Sequence, residues 1–314
     1  MLRFGRVSEE LVTQAEGNQV LDDVVAAERE AEKREEDASE AGPAAEEIRE
    51  DHTCGALDSM SGELLIPPAD EEAALTAAAE VTADLSENEA SLASLANMVP
   101  IAKLDGVSLW YGRGPKPLPQ TFFVEPGFRD VLIRTVRTVR SRAPEAFGDL
   151  TRITSAGAYV AKSGMHGAGR AFDHDAWTFE EVDIAPIRRD HGAPSLSRRR
   201  RYWALAAFCR SHSSHVLHGE YDAAHRDHIH QDNGAPRAFN TSSQAVVKLV
   251  QAICNEIFGQ SPRLQVDGGF GPKTREALGQ AMAKIDLQGD LSDSSVWTRF
   301  LRRSGRLGFT LSVT

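Results

Sequence analysis

The sequence reads His166-Gly-Ala-Gly-Arg-Ala-Phe-Asp173 and, further along the chain, His225-Arg-Asp-His-Ile-His230. Nine of the ten histidines lie within the span that these two segments bound. Small residues between His166 and Asp173 let the chain fold back, so that an imidazole and a carboxylate converge. If the second segment is a strand, His228 and His230 share a face because successive side chains alternate. Since a catalytic zinc site uses three protein ligands and a water, the two segments together predict a metal site.

Both segments are similar to motifs of one known family. HGAGRAFD resembles the HxxGxAxD core of the zinc D,D-peptidase/hedgehog-like superfamily, and HRDHIHQD resembles the HxDHxHxD segment of its extensin-like branch. The resemblance covers about residues 105–235. It implies an α+β fold, in which helices flank a small antiparallel sheet, and a Zn²⁺ ion held by His166, Asp173 and His230. In one departure, Gly164 stands where the family usually has serine.

The resemblance also implies the catalytic groups. Asp227, three residues before the last ligand, corresponds to the acid/base of the family, and His228 would line the substrate side and help to polarise the scissile carbonyl. Zinc lowers the pKa of a bound water toward about 7, and a carboxylate can accept the released proton and pass it to a leaving amine. Glu220, at the end of a predicted strand, is a rival for the role of base.

Three further polar residues are candidates for supporting roles. Arg152 could bind a substrate carboxylate through its guanidinium, although a surface salt bridge is an equally good interpretation. His174 and Asp183 could orient the metal ligands, and Asp183 could instead cap a turn.

The C-terminal region carries a second motif, Val266-Asp-Gly-Gly-Phe-Gly-Pro-Lys-Thr-Arg-Glu-Ala-Leu278. It resembles the peptidoglycan-binding type 1 module, a three-helix domain that binds the bacterial wall, over about residues 243–306, and departs from that pattern after Leu278. We therefore expect a catalytic α+β domain over residues 100–240 and a helical wall-binding module over residues 241–314.

Charge divides the chain into two unequal parts. Residues 1–100 carry 25 acidic and 6 basic side chains, a net charge of −19, whereas residues 101–314 carry 21 and 29, a net charge of +8. The composition predicts an acidic, alanine-rich leader over residues 1–99, helical or partly disordered, with an amphipathic stretch around Val24 and Val25. The basic remainder suits a polyanionic partner. Peptidoglycan is the partner that the two resemblances imply, and the stripe of interleaved aromatic and basic residues that is typical of nucleic-acid binding is missing.

The sequence also bears on compartment. No stretch approaches the roughly 20 consecutive apolar residues of a membrane span. The first residues lack the apolar core and cleavage site of a Sec signal peptide, so we expect synthesis in the cytoplasm and action at the cell wall after specialised secretion or lysis. Three widely spaced cysteines, Cys54, Cys209 and Cys254, indicate buried thiols in a reducing compartment rather than a disulfide framework.

The expected function is a zinc-dependent peptidoglycan hydrolase that cleaves stem peptides, as a D,D-carboxypeptidase or an endopeptidase. It would be a secreted antibacterial effector or a lysis enzyme, with a secretion-machine component or an immunity protein as a further partner. Two alternatives stay open. One is a non-catalytic, zinc-containing wall-binding protein, since function has to be argued from the site rather than the fold; Asp227 speaks against an inactive site. The other is an interaction protein whose acidic leader is the functional part.

Overall fold

The computed structural model describes residues 19–34, 95–233 and 238–313, and these form an α+β fold with six α-helices. The helices are α1 (19–34), α2 (Pro126–Arg142), α3 (Leu196–His212), α4 (Gln244–Glu256), α5 (Pro272–Lys284) and α6 (Ser294–Thr310). The strands are β1 (Val99–Ile101), β2 (Lys103–Leu104), β3 (Val107–Tyr111), β4 (Leu118–Pro119), β5 (Phe122–Val124), β6 (Leu150–Gly157), β7 (Ala171–Phe179), β8 (Asp183–Ile184), β9 (His215–Leu217) and β10 (Ile229–Asp232).

The main sheet is larger and less regular than the sequence predicts. It has eight strands in the order β2-β3-β6-β7-β10-β9, with β4 on β3 and β8 on β7. Its β3–β6 pair is parallel, while β6, β7, β10 and β9 pair antiparallel. A separate two-stranded antiparallel sheet joins β1 to β5. The α+β class is therefore confirmed. The sheets are mixed and include a small antiparallel one, and the specific fold that the resemblance implies stays a prediction.

The helical spacing of apolar residues over Pro126–Arg142 and the stop at Ala143-Pro144 predict a helix, and α2 forms there. The Glu125 side chain accepts hydrogen bonds from the amides of Gly127 and Phe128, which caps the start, and Pro126 occupies the first turn. Proline suits that position because its missing N–H would have no intrahelical acceptor there. The apolar face of the helix is buried in the core, mainly against α3, with Phe128, Val131, Leu132, Val136 and Val139 inward.

Helix α3 lies at the centre of the fold and is buried on nearly all sides from Tyr202 to His212. It contacts the sheet, α2 and the C-terminal helices, and its most extensive packing is with α6. Glycines on α6 permit this close approach: a Cβ on Gly305 would lie 2.7 Å from the Phe208 ring. One apolar core therefore continues across residue 240, where the sequence places a domain boundary; that division stays a prediction.

Helix α1 belongs to the acidic leader and packs against the body of the protein. Val24 and Val25 join the common core, and the fully buried Glu28 carboxylate accepts a 2.7 Å hydrogen bond from Arg142 Nε at the end of α2. Glu32 pairs with Arg303 of α6 at 2.8 Å. The expected amphipathic stretch is thus a docked helix. The sequence predicts a second, alanine-rich helix over residues 70–97, and residues 70–94 of it lie outside the described residues.

Two smaller expectations can be compared with the structure. Cys209 and Cys254 are free, buried thiols, as expected, while Cys54 lies outside the described residues. Burial raises the pKa of both thiols, that of Cys254 to about 12. Within the described part of the chain, none of the helices combines the length and apolar character that crossing a bilayer requires.

Candidate metal centre

Strand register brings the two histidine segments together. Asp173 on β7 lies directly opposite His230 on β10, and Gly157 on β6 is its neighbour on the other side. His166 lies in the turns that precede β7. Those turns need glycine, because a Cβ on Gly167 would overlap the Lys162 carbonyl oxygen, and Gly169 has a φ of +65°. The small residues of the first segment therefore let the imidazole fold back onto the strand, as predicted.

His166, Asp173 and His230 form a cluster that could hold a metal ion. One potential ligand atom from each residue lies within 4.8 Å of the others. His166 Nε2 is 3.2 Å from Asp173 Oδ2, and His230 Nδ1 is 2.9 Å from Asp173 Oδ1. The two imidazoles are buried and the carboxylate is half-buried, so a ligand would be largely shielded from bulk water.

Each imidazole is also held on its outer side. His166 Nδ1 is hydrogen bonded to the backbone carbonyl of Ala158, and His230 Nε2 lies 3.2 Å from Asp232 Oδ2. An outer nitrogen that donates to an oxygen leaves the lone pair of the inner nitrogen directed at the cluster. Metal-binding histidines are oriented in this way in most metalloproteins. The donor set and its supports therefore fit a metal ion with two histidine ligands and one carboxylate.

Electrostatics ties the three groups to one another. Burial disfavours the Asp173 carboxylate, but hydrogen bonds with His166 and His230 outweigh it and hold the pKa of Asp173 well below its usual range. Burial likewise disfavours a charged His230, yet its bonds to Asp173 and Asp232 raise its pKa to about 9. Both shifts have the same cause, the close approach of the Asp173 carboxylate to the two imidazoles.

His228 and Asp227 lie at the edge of the cluster as a hydrogen-bonded pair. His228 Nδ1 is 3.0 Å from Asp227 Oδ1, and His228 Nε2 is 3.7 Å from Asp173 Oδ1. His228, which directly precedes β10, and His230 therefore face the same side, as alternation predicts, while Ile229 between them is buried in the core. The structure thus brings all five residues of the predicted centre together.

Arg113 is part of this centre and was missed by the sequence analysis. It follows β3, and its guanidinium pairs with Asp227 Oδ2 at 2.7 Å and with Asp175 Oδ1 at 2.7 Å. Hydrogen bonding from Arg113 lowers the pKa of Asp227 to about 2, whereas burial raises the pKa of Asp175 to about 6 despite the same guanidinium. The pattern HGAGRAFDHD does contain Asp175, but nothing in the sequence links it to a residue on another strand.

His225 is a second residue without an assigned role in the sequence analysis. Its ring centre is 5.1 Å from that of His228 and 5.7 Å from that of His230. His225 Nδ1 is 2.7 Å from Asp222 Oδ1. Burial lowers the pKa of His225, and the Asp222 carboxylate opposes that shift. The spacing of histidines in HRDHIH was the only signal for this contact.

Two candidates from the sequence lie away from the cluster. Arg152 is on β6 opposite Thr178, with its guanidinium 5.1 Å from the centre of the Trp110 ring and hydrogen bonded to Thr178. Glu220 is exposed, and its backbone carbonyl accepts a hydrogen bond from Lys248. The arginine that the structure places beside the cluster is Arg113 rather than Arg152.

The expected orienting residues have other contacts. His174 is on the opposite face of β7 from Asp173, where its Nε2 is 2.8 Å from Gln231 Oε1 and burial lowers its pKa to about 4. Asp183 forms an exposed pair with Arg188 at 3.3 Å. The orienting contacts on the cluster come from Ala158 and Asp232.

Comparison with known proteins identifies no relative. No protein-family model matches the sequence, and no curated protein or solved structure matches the chain. The functional argument therefore depends on the site itself.

The arrangement combines three chemical capacities. Two neutral imidazoles and one carboxylate would leave a bound divalent ion with a formal positive charge, suited to an anionic ligand or transition state. The Asp227–His228 pair can hold and move a proton beside that position. The Arg113 guanidinium holds the Asp227 side of the pair in place.

Proposed function

We propose that this protein is a zinc-dependent hydrolase that cleaves peptide bonds in the stem peptides of peptidoglycan. The observation that carries the proposal is the convergence of His166 Nε2 and His230 Nδ1 on the Asp173 carboxylate, with both outer nitrogens supported by oxygen atoms. Resemblance of the two histidine segments to the zinc D,D-peptidase/hedgehog-like superfamily supplies the substrate class.

Zinc is the metal that this donor set favours. Nitrogen and carboxylate donors in a three-ligand site are typical of catalytic Zn²⁺, and they leave a position for water. A zinc ion bound here would supply a water that ionises near neutral pH and an electrophile for the scissile carbonyl. The protein's part is to hold the ligands rigid, which Ala158 and Asp232 do through the outer nitrogens.

We assign proton transfer to the Asp227–His228 pair rather than to Asp227 alone. Both oxygens of Asp227 are engaged, Oδ2 by Arg113 and Oδ1 by His228 Nδ1, so the carboxylate is a poor proton acceptor near neutral pH. Held by Asp227, His228 Nδ1 donates its hydrogen, and the lone pair of Nε2 faces the cluster. His228 Nε2 then accepts a proton from the attacking water and returns it to the leaving amine.

In the C-terminal region, the turn that precedes α5 is the feature that favours the cell wall as the substrate. In this turn the Asp267 side chain accepts hydrogen bonds from Gly269 N and Gln251, as the VDGGFGP segment requires for a tight reversal. Its resemblance to the peptidoglycan-binding type 1 module is the basis for assigning wall binding to this region. The acidic leader would serve delivery, as a loading segment for a secretion machine or a contact for an immunity protein.

Mass analysis of purified muropeptides tests the proposal. We expect the protein to shorten stem peptides or to cleave cross-links, to lose this activity with a zinc chelator, and to regain it when zinc is restored. Metal analysis should give one zinc per chain. Stoichiometric zinc without any cleavage would instead favour the non-catalytic wall-binding protein, and a chain that binds no zinc would contradict both.

A further inference from the structure

We infer that Arg113, anchored by the buried Asp175, is a positioning residue that holds Asp227 and thereby orients His228. This inference rests on the proposed function for its catalytic consequence, but the contacts that carry it are independent of any substrate. It assigns a role to Arg113 and Asp175, which are neither metal ligands nor members of the acid/base pair. As positioning residues they act through Asp227 and do not need to touch the substrate.

The anchor is the Arg113–Asp175 pair. Asp175 is fully buried on β7, and its two oxygens accept from Arg113 Nε at 3.0 Å and Arg113 Nη2 at 2.7 Å. Two parallel hydrogen bonds of this kind fix both the position and the plane of a guanidinium. Gly112 makes the approach possible, since a Cβ there would lie 2.6 Å from Asp175 Oδ2. The contact with β7 therefore fixes the position of the Arg113 guanidinium.

The other edge of the guanidinium holds the loop that leads into β10. Arg113 Nη1 donates to Asp227 Oδ2 at 2.7 Å, and Nη2 lies 3.3 Å from Asp227 Oδ1. Asp227 itself is exposed over 38% of its side chain and lies in a turn, so the loop alone offers little restraint. The chain of contacts runs from Asp175 through Arg113 to Asp227, and from there to His228 Nδ1.

The geometry favours positioning over substrate binding. A guanidinium has five N–H donors, and one edge is used by Asp175 while the other is used by Asp227. An arginine whose two edges are both engaged by carboxylates within the protein has little left to offer a carboxylate of the substrate. Replacement of Arg113 should therefore lower the reaction rate of the enzyme–substrate complex and leave the affinity for substrate unchanged.

Arg113→Lys tests the inference, because lysine keeps the charge but lacks the planar fork. We expect kcat on soluble stem peptides to fall between about 10- and 100-fold, as for other residues that orient catalytic groups. KM should change by less than about twofold, and one zinc per chain should remain. Hydrogen exchange of the backbone amides in residues 222–228 should become faster, with exchange in α3 unchanged.

Asp175→Asn provides an independent variant and Arg140→Lys a matched control. Asparagine is close in size to aspartate, so Asp175→Asn weakens the anchor while Arg113 and Asp227 remain, and it should also speed exchange in residues 222–228. Arg140 pairs with Asp105 at 2.9 Å on the exposed side of α2, so its replacement should change neither kcat nor exchange.

Three outcomes would overturn the inference. They are unchanged kcat and exchange in Arg113→Lys, a rise in KM with kcat retained, and a fall in kcat without faster exchange in residues 222–228. The exchange measurement needs no substrate. If the parent protein cleaves no stem peptide, the proposed function fails while the exchange result still decides whether Arg113 positions Asp227.

Discussion

Two groups of ion pairs join segments that are far apart in the chain, and they differ in what surrounds them. Under α1, Glu28 and Arg142 are at most 1% exposed and join the leader to α2. At the metal centre, Arg113 is 28% exposed and links the buried Asp175 to the more open Asp227. The first group is enclosed on all sides, whereas the second has one buried end and one open end.

This difference indicates that arginine–carboxylate pairs have separate roles in the two places. A buried pair with no open side can only join elements, and removing one partner leaves a charge in a medium that cannot solvate it. A pair with an open end can instead set the position of a side chain that a ligand reaches. Within residues 19–34, Glu28 also lies near Arg306 of α6 and Glu32 pairs with Arg303, so this part of the leader joins two helices of the body.

The largest expected effect comes from removing a ligand. His230→Ala should abolish zinc binding and cleavage, because two donors cannot complete a catalytic zinc site. Metal content after dialysis and muropeptide cleavage are the measurements, and circular dichroism checks that the chain remains folded. Retention of one tightly bound zinc by the variant would show that the cluster is not the metal site.

The enclosed Glu28–Arg142 pair should affect stability more than an exposed ion pair does. Glu28→Ala should lower the free energy of unfolding by about 3–5 kcal/mol, because the Arg142 charge stays buried without this carboxylate. Urea unfolding measures the change, and zinc content should be unaffected.

Glu30→Ala is the control for this variant on the same helix. Glu30 pairs with Arg34 at 3.4 Å with both side chains largely exposed. Its loss should change the free energy of unfolding by less than about 0.5 kcal/mol. Equal urea midpoints for Glu28→Ala and Glu30→Ala would contradict docking of α1 in solution.

Replacement of Asp227, the exposed member of the second group, should slow cleavage and leave the metal bound. Asp227→Ala should slow cleavage by about 10²-fold or more, the range expected when a proton-transfer group is lost, while one zinc per chain remains. Steady-state kinetics and metal analysis together check this. Cleavage at the parental rate would show that Asp227 has no part in the reaction.

A smaller effect is expected at the contact between α3 and α6. Gly305→Ala places a Cβ 2.7 Å from the Phe208 ring and should cost about 1–3 kcal/mol of stability. Gly279→Ala on α5 meets open space and should be neutral or slightly stabilising. If both variants unfold at the same urea concentration, the C-terminal helices are not packed on α3 as the structure shows.

Much of the secondary structure could be predicted from local patterns. Helix α2 occurs at the predicted residues, since its cap, apolar spacing and terminating Ala143-Pro144 are all local signals. The local pattern predicts a last helix over Ser294–Arg303, whereas α6 continues to Thr310. Gly305 and Gly308 disfavour a helix locally, but packing on α3 accommodates them. Strand β7 was not predicted, since its polar residues face a buried site rather than solvent.

The sequence by itself determined the α+β class, the three residues that could hold a metal and the neighbouring Asp227–His228 pair. Residue type and short spacing predict a metal site, and the resemblance of both histidine segments to motifs of a known family implies which residues form it; those motifs are local in the chain. Only the tertiary structure decided that Arg113 and not Arg152 lies at the centre, that Asp232 and the Ala158 carbonyl orient the imidazoles, and that α1 docks on α2 and α6. Each of these depends on strand register or helix packing between residues far apart in the chain, and such contacts leave no periodic signal in the sequence.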